Sequence, residues 1–410
     1  ALDHLALNEN QISDISLLAN FTSLTYLYLS DNQISDISPL EKLTGLRNLL
    51  LDDNQIRDIS PIANFKNMLN IYLDNNYLDL TDSYTLSIID ELIKQNDTVR
   101  YKPQKPIPAT GYFTRFSGKN RAVTANAIAT QGWPEGSDTV ILASGASFAD
   151  ALAAAPLAAH YDAPILLTSS KTTIEDTVLN TIETLKAKNI IIIGGTSSVS
   201  KEIFSQLEGL SLKVDRLAGG NRYTTAIEVA KALEADGVEF TSAFLADGTN
   251  FPDALSVSPV AGILQQPILF TNKNDTAKVN ADTGKYIAAS GITEVVVIGG
   301  GISDAAVADL GVENTSRLSG ANRYATAVAI NTEYKSIFTG DAVTLTTGTN
   351  FPDALAGSAF SAKIGAPLFL VGGALSADVK AAIGGFNADE FYVYGGGSSL
   401  PDRLVLGHIF

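Results

Sequence analysis

Over residues 1–80 the apolar positions recur with a strict period of 22: the pairs Leu5/Leu7, Leu27/Leu29, Leu49/Leu51 and Ile71/Leu73 are each followed by an asparagine, at Asn10, Asn32, Asn54 and Asn76. Alternation within each pair predicts a short strand with one side in a core, and the fixed period predicts one solenoid coil per repeat. The asparagine amide suits a coil that turns inward, because it can satisfy backbone groups as both donor and acceptor. The stretch TLSIIDELIKQ at 85–95 changes to helical spacing and predicts a helix covering the last coil, after which PQKPIP at 103–108 reads as a stiff linker.

From Arg115 a longer pattern takes over. Arg-(aromatic or Leu)-x-Gly-x-Asn-Arg occurs as RFSGKNR at 115–121, RLAGGNR at 216–222 and RLSGANR at 317–323, spaced by 101 both times. Each copy continues in the same order: a helical stretch, an apolar β-rich run (VILAS, SAFLA, AVTLT), an octet with one aspartate, a second strand, another helix, and a strand ending in glycines (IIIIGG, VVVIGG, YVYGGG). The octet GTNFPDAL is identical at 248–255 and 348–355, with a blurred copy ending at Leu152. Strands alternating with helices, rich in Ile, Val and Leu, predict parallel sheets covered on both faces.

Each Arg-x-x-Gly segment also follows the glycine-ended strand of the module before it, so 216–219 and 317–320 are placed to complete the sheets of modules one and two. Module three has no such follower; its nearest candidate, Arg403-Leu404, comes too soon after Gly397. RFSG at 115–118 has no module before it. A spare strand at one end and an open edge at the other predict a closed, pseudo-threefold ring in which 115–118 packs against the third module.

Composition narrows the chemistry. The 410 residues are 45% apolar, enough for several cores, and the 28 basic and 44 acidic side chains leave a net charge of −16. Residues 1–100 carry −9 of this and 101–410 carry −7. Field attraction to nucleic acid or to an anionic membrane is therefore not expected, and any polyanion must be held by locally placed groups. Without cysteine, and with only His4, His160 and His408, no metal or disulfide constellation is expected. No apolar run approaches a membrane span, and the chain opens in mid-pattern, as an excised or mature fragment would.

In open parallel sheets ligands collect where loops leave the strands' carboxyl ends. Here those are the loops at 144–147, 247–250 and 347–350, carrying Asn250 and Asn350, with the glycines at 194–195, 299–301 and 395–397. Asp150, Asp253 and Asp353 stand before Ala-Leu, where a helix N-cap belongs. Asn120, Asn221 and Asn322 are further caps, each directly before Arg121, Arg222 or Arg323. These arginines can pair with the aspartates to fix the loops, or present donors to a ligand phosphate or carboxylate. No histidine or cysteine recurs with the module, GxSxG, Walker A and HExxH are absent, and the glycine ends lack the full dinucleotide fingerprint. Neither an enzyme nor a cofactor is expected.

Two resemblances follow. NQISDIS at 10–16 and 32–38, with NQIRDIS at 54–60, resembles the leucine-rich repeats of bacterial internalin-like surface proteins. The set RxxGxNR, (N/S)F(P/A)DAL, P(I/L)L(L/F) and the glycine-ended strand resembles the cell wall binding repeat 2 family of clostridial-type surface proteins over about three quarters of the chain. The first copy departs at Ala122, where the others have Tyr223 and Tyr324, and at Ala149, where they have Pro252 and Pro352. The expected architecture is α/β: a leucine-rich repeat solenoid with a helical cap at 1–102, a linker at 103–110, and modules at 111–215, 216–316 and 317–410 in a pseudo-threefold arrangement. The resemblance implies a secreted, cell-surface protein anchored noncovalently to the Gram-positive wall through an anionic polymer, at Arg121, Arg222, Arg323, Asn120, Asn221, Asn322, Asp150, Asp253, Asp353, Asn250 and Asn350. Outward strand residues Tyr26, Tyr28, Asp52, Tyr72 and Asp74 are expected to meet a protein or glycan partner on the concave face. The alternative is a wall-glycan hydrolase or transferase using the repeated aspartates, which lack the repeated second acid that glycoside chemistry needs.

Overall fold

The structure is a computed structural model that describes residues 2–80, 83–105, 113–146, 150–170, 172–372, 376–397, 399–400 and 405. It divides into two compact units, residues 1–112 with 396–410 and residues 113–395.

In the first unit, strands β1 (His4–Ala6), β2 (Tyr26–Tyr28), β3 (Asn48–Leu50), β4 (Asn70–Tyr72) and β5 (Val99–Arg100) form one parallel sheet. The 22-residue period sets the register directly, with His4 opposite Tyr26, Tyr26 opposite Asn48 and Asn48 opposite Asn70. Leu27, Leu49 and Ile71 point inward and are fully buried. Asn54 is fully buried too and stays satisfied: its Nδ2 donates to Leu29 O (2.9 Å) one coil back and to Leu51 O (3.1 Å), while its Oδ1 accepts from Ile34 N (3.0 Å). Asn32 and Asn76 repeat the pattern, so the asparagines stitch each coil to the one before.

The helix Ser83–Gln95 forms as the spacing predicts. The chain then adds a fifth coil whose pattern the period of 22 does not reveal, because the helix lengthens it. In that coil Gln104 takes the asparagine's place, with Nε2 donating to Leu73 O (2.9 Å) and Oε1 accepting from Asn76 N and Leu78 N (both 3.1 Å). Of the stretch expected as a linker, residues 103–105 are thus hydrogen-bonded to the solenoid, and 106–110 lie outside the described residues. Asn54→Ala removes both halves of one rung and strands buried backbone groups; it should cost about 2–4 kcal/mol. Urea unfolding of the solenoid transition checks this, and a loss under about 1 kcal/mol would remove the asparagine ladder as a principal support.

The second unit opens with β6 (Phe113–Phe116) and contains three parallel four-stranded sheets. The first comprises β7 (Thr139–Ser144), β8 (Ile165–Thr168), β9 (Asn189–Ile193) and β10 (Lys213–Leu217). The second comprises β11 (Ser242–Asp247), β12 (Ile268–Thr271), β13 (Glu294–Ile298) and β14 (Asn314–Leu318). In the third, β15 (Ala342–Thr347), β16 (Leu368–Val371) and β17 (Glu390–Tyr394) are completed by β6, which pairs with β17 so that Phe116 lies opposite Tyr394. The spare strand does close the third sheet, as its sequence position predicts; the rival candidate, Arg403-Leu404, lies outside the described residues.

The helices complete the ring. Three axial helices, Ala154–His160, Pro252–Leu264 and Pro352–Lys363, pack against one another, and Gly262 is the point of closest approach: a Cβ there would stand 2.8 Å from the Ala362 Cβ and 3.3 Å from the Ala159 Cβ. Three rim helices, Arg121–Gly132, Arg222–Ala235 and Arg323–Glu333, each pack on the axial helix of a neighbouring module, with the first resting on the third module's axial helix.

Candidate functional site

The axial helices begin, and the rim helices are capped, at the same edge of the ring. Asn120, Asn221 and Asn322 cap the rim helices as the sequence predicts: Asn120 Oδ1 accepts from Val123 N (3.0 Å), and Asn221 and Asn322 each accept from two first-turn amides. Capping orders the first turn and thereby aims the arginine that follows. Arg121, Arg222 and Arg323 donate through Nη1 to the carbonyls of Gly145, Gly248 and Gly348, the glycines that follow the first strand of each module. Each arginine is half-buried. Arg121 also lies 5.9 Å from the Phe351 ring centroid of module three, and Arg323 lies 5.7 Å from that of Phe251 in module two. Arg121 and Arg323 therefore span module boundaries. Asn250 and Asn350 occupy the same loops and accept from the amides of Phe251 and Phe351.

The aspartates are not the caps that the Asp-Ala-Leu pattern suggests. In copies two and three the N-cap residues are Phe251 and Phe351, without a side-chain cap bond; proline takes the first helical position, and Asp253 and Asp353 sit inside the first turn. Asp150 holds the capping position of a short 3-10 turn but makes no cap bond, accepting instead from Ser198 Oγ (2.6 Å). What the three share is a neighbour. A Cβ added to Gly194, Gly299 or Gly395 would stand 2.9, 2.1 or 2.7 Å from the Oδ2 of Asp150, Asp253 or Asp353, respectively. Those glycines also have φ of +111°, +88° and +107°, so both conformation and space exclude a side chain. The glycine-ended strand and the aspartate octet are thus two halves of one contact.

A second set of arginines, absent from the sequence-based candidates, holds the same glycines. Arg115, Arg216 and Arg317 donate through Nη1 to Gly395 O (2.5 Å), Gly194 O (2.7 Å) and Gly299 O (2.7 Å). Their constant place at the head of each RxxGxNR motif was the available signal; the acceptor belongs to another module's strand.

The electrostatics follow the ring as well. Burial pushes the Asp353 carboxyl up to about 6, opposed by Arg121, by the Thr124 hydroxyl and by Arg115, all from the start of the ring. Burial raises Asp253 too, helped by Asp247 and opposed by Arg323 and Lys273. In both cases the influential arginine comes from the neighbouring module. A carboxylate raised above its ordinary value binds its proton more tightly when folded than when unfolded, so folding loses stability as pH climbs from about 4 to about 6. Asp353→Asn should therefore stabilise the ring at pH 7 by on the order of 2 kcal/mol and be neutral near pH 4. Melting temperature against pH for the two proteins measures it, and a less stable asparagine variant at pH 7 would overturn it.

On the solenoid face, Tyr26, Tyr28, Asp52 and Tyr72 are half-buried and Asp74 is buried. They are knitted to each other's neighbours: Tyr26 stacks on His4 at 4.0 Å, Asp52 accepts from Ser30 Oγ (2.6 Å), and Asp74 pairs with Arg100 (2.6 Å), whose guanidinium lies 4.1 Å from the Tyr72 centroid. Tyr28 shares the outward row with Leu50 and Tyr72.

Residues 115–204, 216–307 and 317–405 match the family model for cell wall binding domain 2, and residues 1–42 match one for leucine rich repeats in two copies. The chain belongs to the cell wall binding domain 2 family. It is 36% identical to the N-acetylmuramoyl-L-alanine amidase LytC of Bacillus subtilis (strain 168) over 292 residues, 71% of this chain and 57% of that protein. Among solved structures it is similar to Cwp6 from Clostridium difficile, with a TM-score of 0.65 and 27% identity over 74% of this chain and 49% of that one. Cwp8 from the same organism gives 0.62 and 26% over 72% and 51%. The chain thus spans about half the length of the proteins it matches.

It is a cell wall-associated surface protein with an N-terminal leucine-rich repeat region. Among the described residues no helix is long and apolar enough to cross a membrane. Each matched cell wall binding domain starts at or beside the arginine that latches onto another domain's glycine, in a strand lying in that other domain's sheet. Sequence repeat and folded unit are therefore offset by one strand, and the three domains hold each other by exchange. The first differs at its boundary: Ala122 is buried where Tyr223 and Tyr324 flank Gly248 and Gly348, and Ala149 lies outside the described residues.

Proposed function

We propose that the protein is secreted and held noncovalently on the Gram-positive wall by an anionic polymer seated at the three edge positions of Arg121, Arg222 and Arg323, of which Arg121 and Arg323 reach across between domains. The observation that carries this reading is the threefold placement of half-exposed guanidiniums on capped helix ends, at the edge where the axial helices present their N-termini. A guanidinium has five donors and favours paired contacts to phosphate or carboxylate. Such local donors answer the problem that a net charge of −16 poses for polyanion binding. The candidate set at this edge keeps Asn120, Asn221, Asn322, Asn250, Asn350, Asp150, Asp253 and Asp353 as residues that shape it. The solenoid face around Tyr26, Tyr28, Asp52, Tyr72 and Asp74 is the surface we assign to a protein or glycan partner.

The proposal includes no reaction. Asp247, which helps raise Asp253, argues for structure: it accepts from Thr249 and pairs with Lys273 (3.4 Å), while Ser144 and Thr347 stand at its place in the other domains. The whole chain incubated with purified Gram-positive walls should sediment with them, and sedimentation should fall when the anionic polymer is stripped while the walls stay undigested. Equal retention on stripped walls would sink the polymer; release of soluble wall fragments would restore the hydrolase.

A further inference from the structure

We infer that the ring carries a second binding site at its opposite pole, and that this site takes a neutral saccharide unit. The 13-residue axial helix Pro252–Leu264 starts at the arginine edge and ends about 20 Å away, and the other two axial helices end at the same pole. Around their C-terminal ends the surface opens into a cavity of about 540 Å³ lined by all three domains. That volume falls within the range of about 300–1,000 Å³ typical of small-molecule sites. Its polar side chains are Trp133 and Asp162 from the first domain, Gln265 from the second, and Thr339 and Lys363 from the third.

The chemistry of the lining selects the class of ligand. Helix C-termini carry partial negative charge, so three of them facing one cavity disfavour phosphate or carboxylate. Among the described lining residues the one cation, Lys363, is already bound to both oxygens of Asp162 (2.7 and 2.8 Å) and lies 5.2 Å from the Trp133 ring centroid. The one carboxylate among them is likewise held, by Lys363 and by Trp133 Nε1 (2.9 Å), so the described lining offers no uncompensated acid for a free cation. What it presents is an amide, a hydroxyl and a neutralised ion pair among the apolar walls of Ile337 and Ile364, alongside a Trp133 indole that is buried and whose Nε1 already donates to Asp162. Alternating donors and acceptors beside apolar patches match the hydroxyls and C–H faces of a sugar ring. The backbone geometry is consistent with a preformed mouth: Asp162, Gln265 and Gly365 occupy the same place past each helix, and all have positive φ (+45°, +51° and +61°).

Trp133 is the chain's single tryptophan, so the site reports on itself. Titrating the whole chain with a β-1,4-linked N-acetylglucosamine disaccharide and, separately, with maltose should give a saturable change in tryptophan emission with at least one of them. A response to the first alone points to wall glycan strands as the source, and a response to the second to hexose polymers. Inorganic phosphate at equal concentration should give none. Gln265→Gly, which keeps the left-handed backbone, and Thr339→Val should each weaken the response at least fivefold with an unchanged melting temperature. Arg222→Ala, at the other pole, should leave it within twofold. No saturable change with either sugar, an equal response to phosphate, or full binding by both cavity variants would overturn the inference. None of these outcomes depends on whether walls are retained through the arginine edge.

Discussion

Alanine at Phe116 should lower the stability of the ring by about 3–5 kcal/mol, the ordinary cost of truncating a buried phenylalanine. Phe116 is 2% exposed and fills the joint between the first and last domains, with ring centroids 5.4 Å from Phe360, 5.6 Å from Tyr392 and 6.0 Å from Tyr394. Its equivalents Leu217 and Leu318 are half-buried and sit in strands that follow directly in the chain from the sheets they complete. β6 has no such reinforcement, because the strand it pairs with lies nearly 280 residues away, as the Arg115–Gly395 bond records. The loss should also be local. Amide exchange in β17 should accelerate before that in β9 or β13, since only β17 loses an edge partner. A loss under about 1 kcal/mol, or equal acceleration in all three sheets, would mean that the axial helices close the ring without the strand.

How much of this the sequence disclosed depended on distance along the chain. The solenoid register came from the period of 22 because neighbouring coils repeat each other. The closing strand was found by counting, since RFSG was one segment too many at one end and its absence was felt at the other. The asparagine caps were legible because a cap acts on amides two or three residues ahead. The aspartates depart from the cap pattern for the converse reason. Asp-Ala-Leu carries a local cap signal, yet the residue against which Asp353 packs is Gly395, 42 positions on, and the two motifs recur together in every copy without any spacing rule to say that they touch. Arg115, Arg216 and Arg317 were hidden similarly: the letter was constant, the acceptor was another domain's carbonyl. Gln104 escaped because the helix Ser83–Gln95 breaks the period that identifies the other rungs. The cavity at the far pole had no sequence signature at all, since its five polar side chains come from three domains and share no motif.

Replacing Arg121, Arg222 and Arg323 together by alanine should reduce retention on polymer-bearing walls at least a hundredfold, while each single change costs roughly three- to tenfold. The disproportion is the informative part. Three related sites on one ring bind a repeating polymer at high effective concentration, so losing one leaves two to hold and losing all leaves nothing to add. The same arginines also donate to Gly145, Gly248 and Gly348. A fall in retention therefore counts only if the variants keep their near-ultraviolet spectrum and melt within a few degrees of the parent. Lysine separates the two roles further. Arg323→Lys keeps the charge but loses the planar fork, so it should retain long-range salt dependence while binding more weakly than the parent. Should the triple variant fold normally and sediment with walls as the parent does, the arginines would be struts between domains and the polymer would have to be sought on another face of the ring.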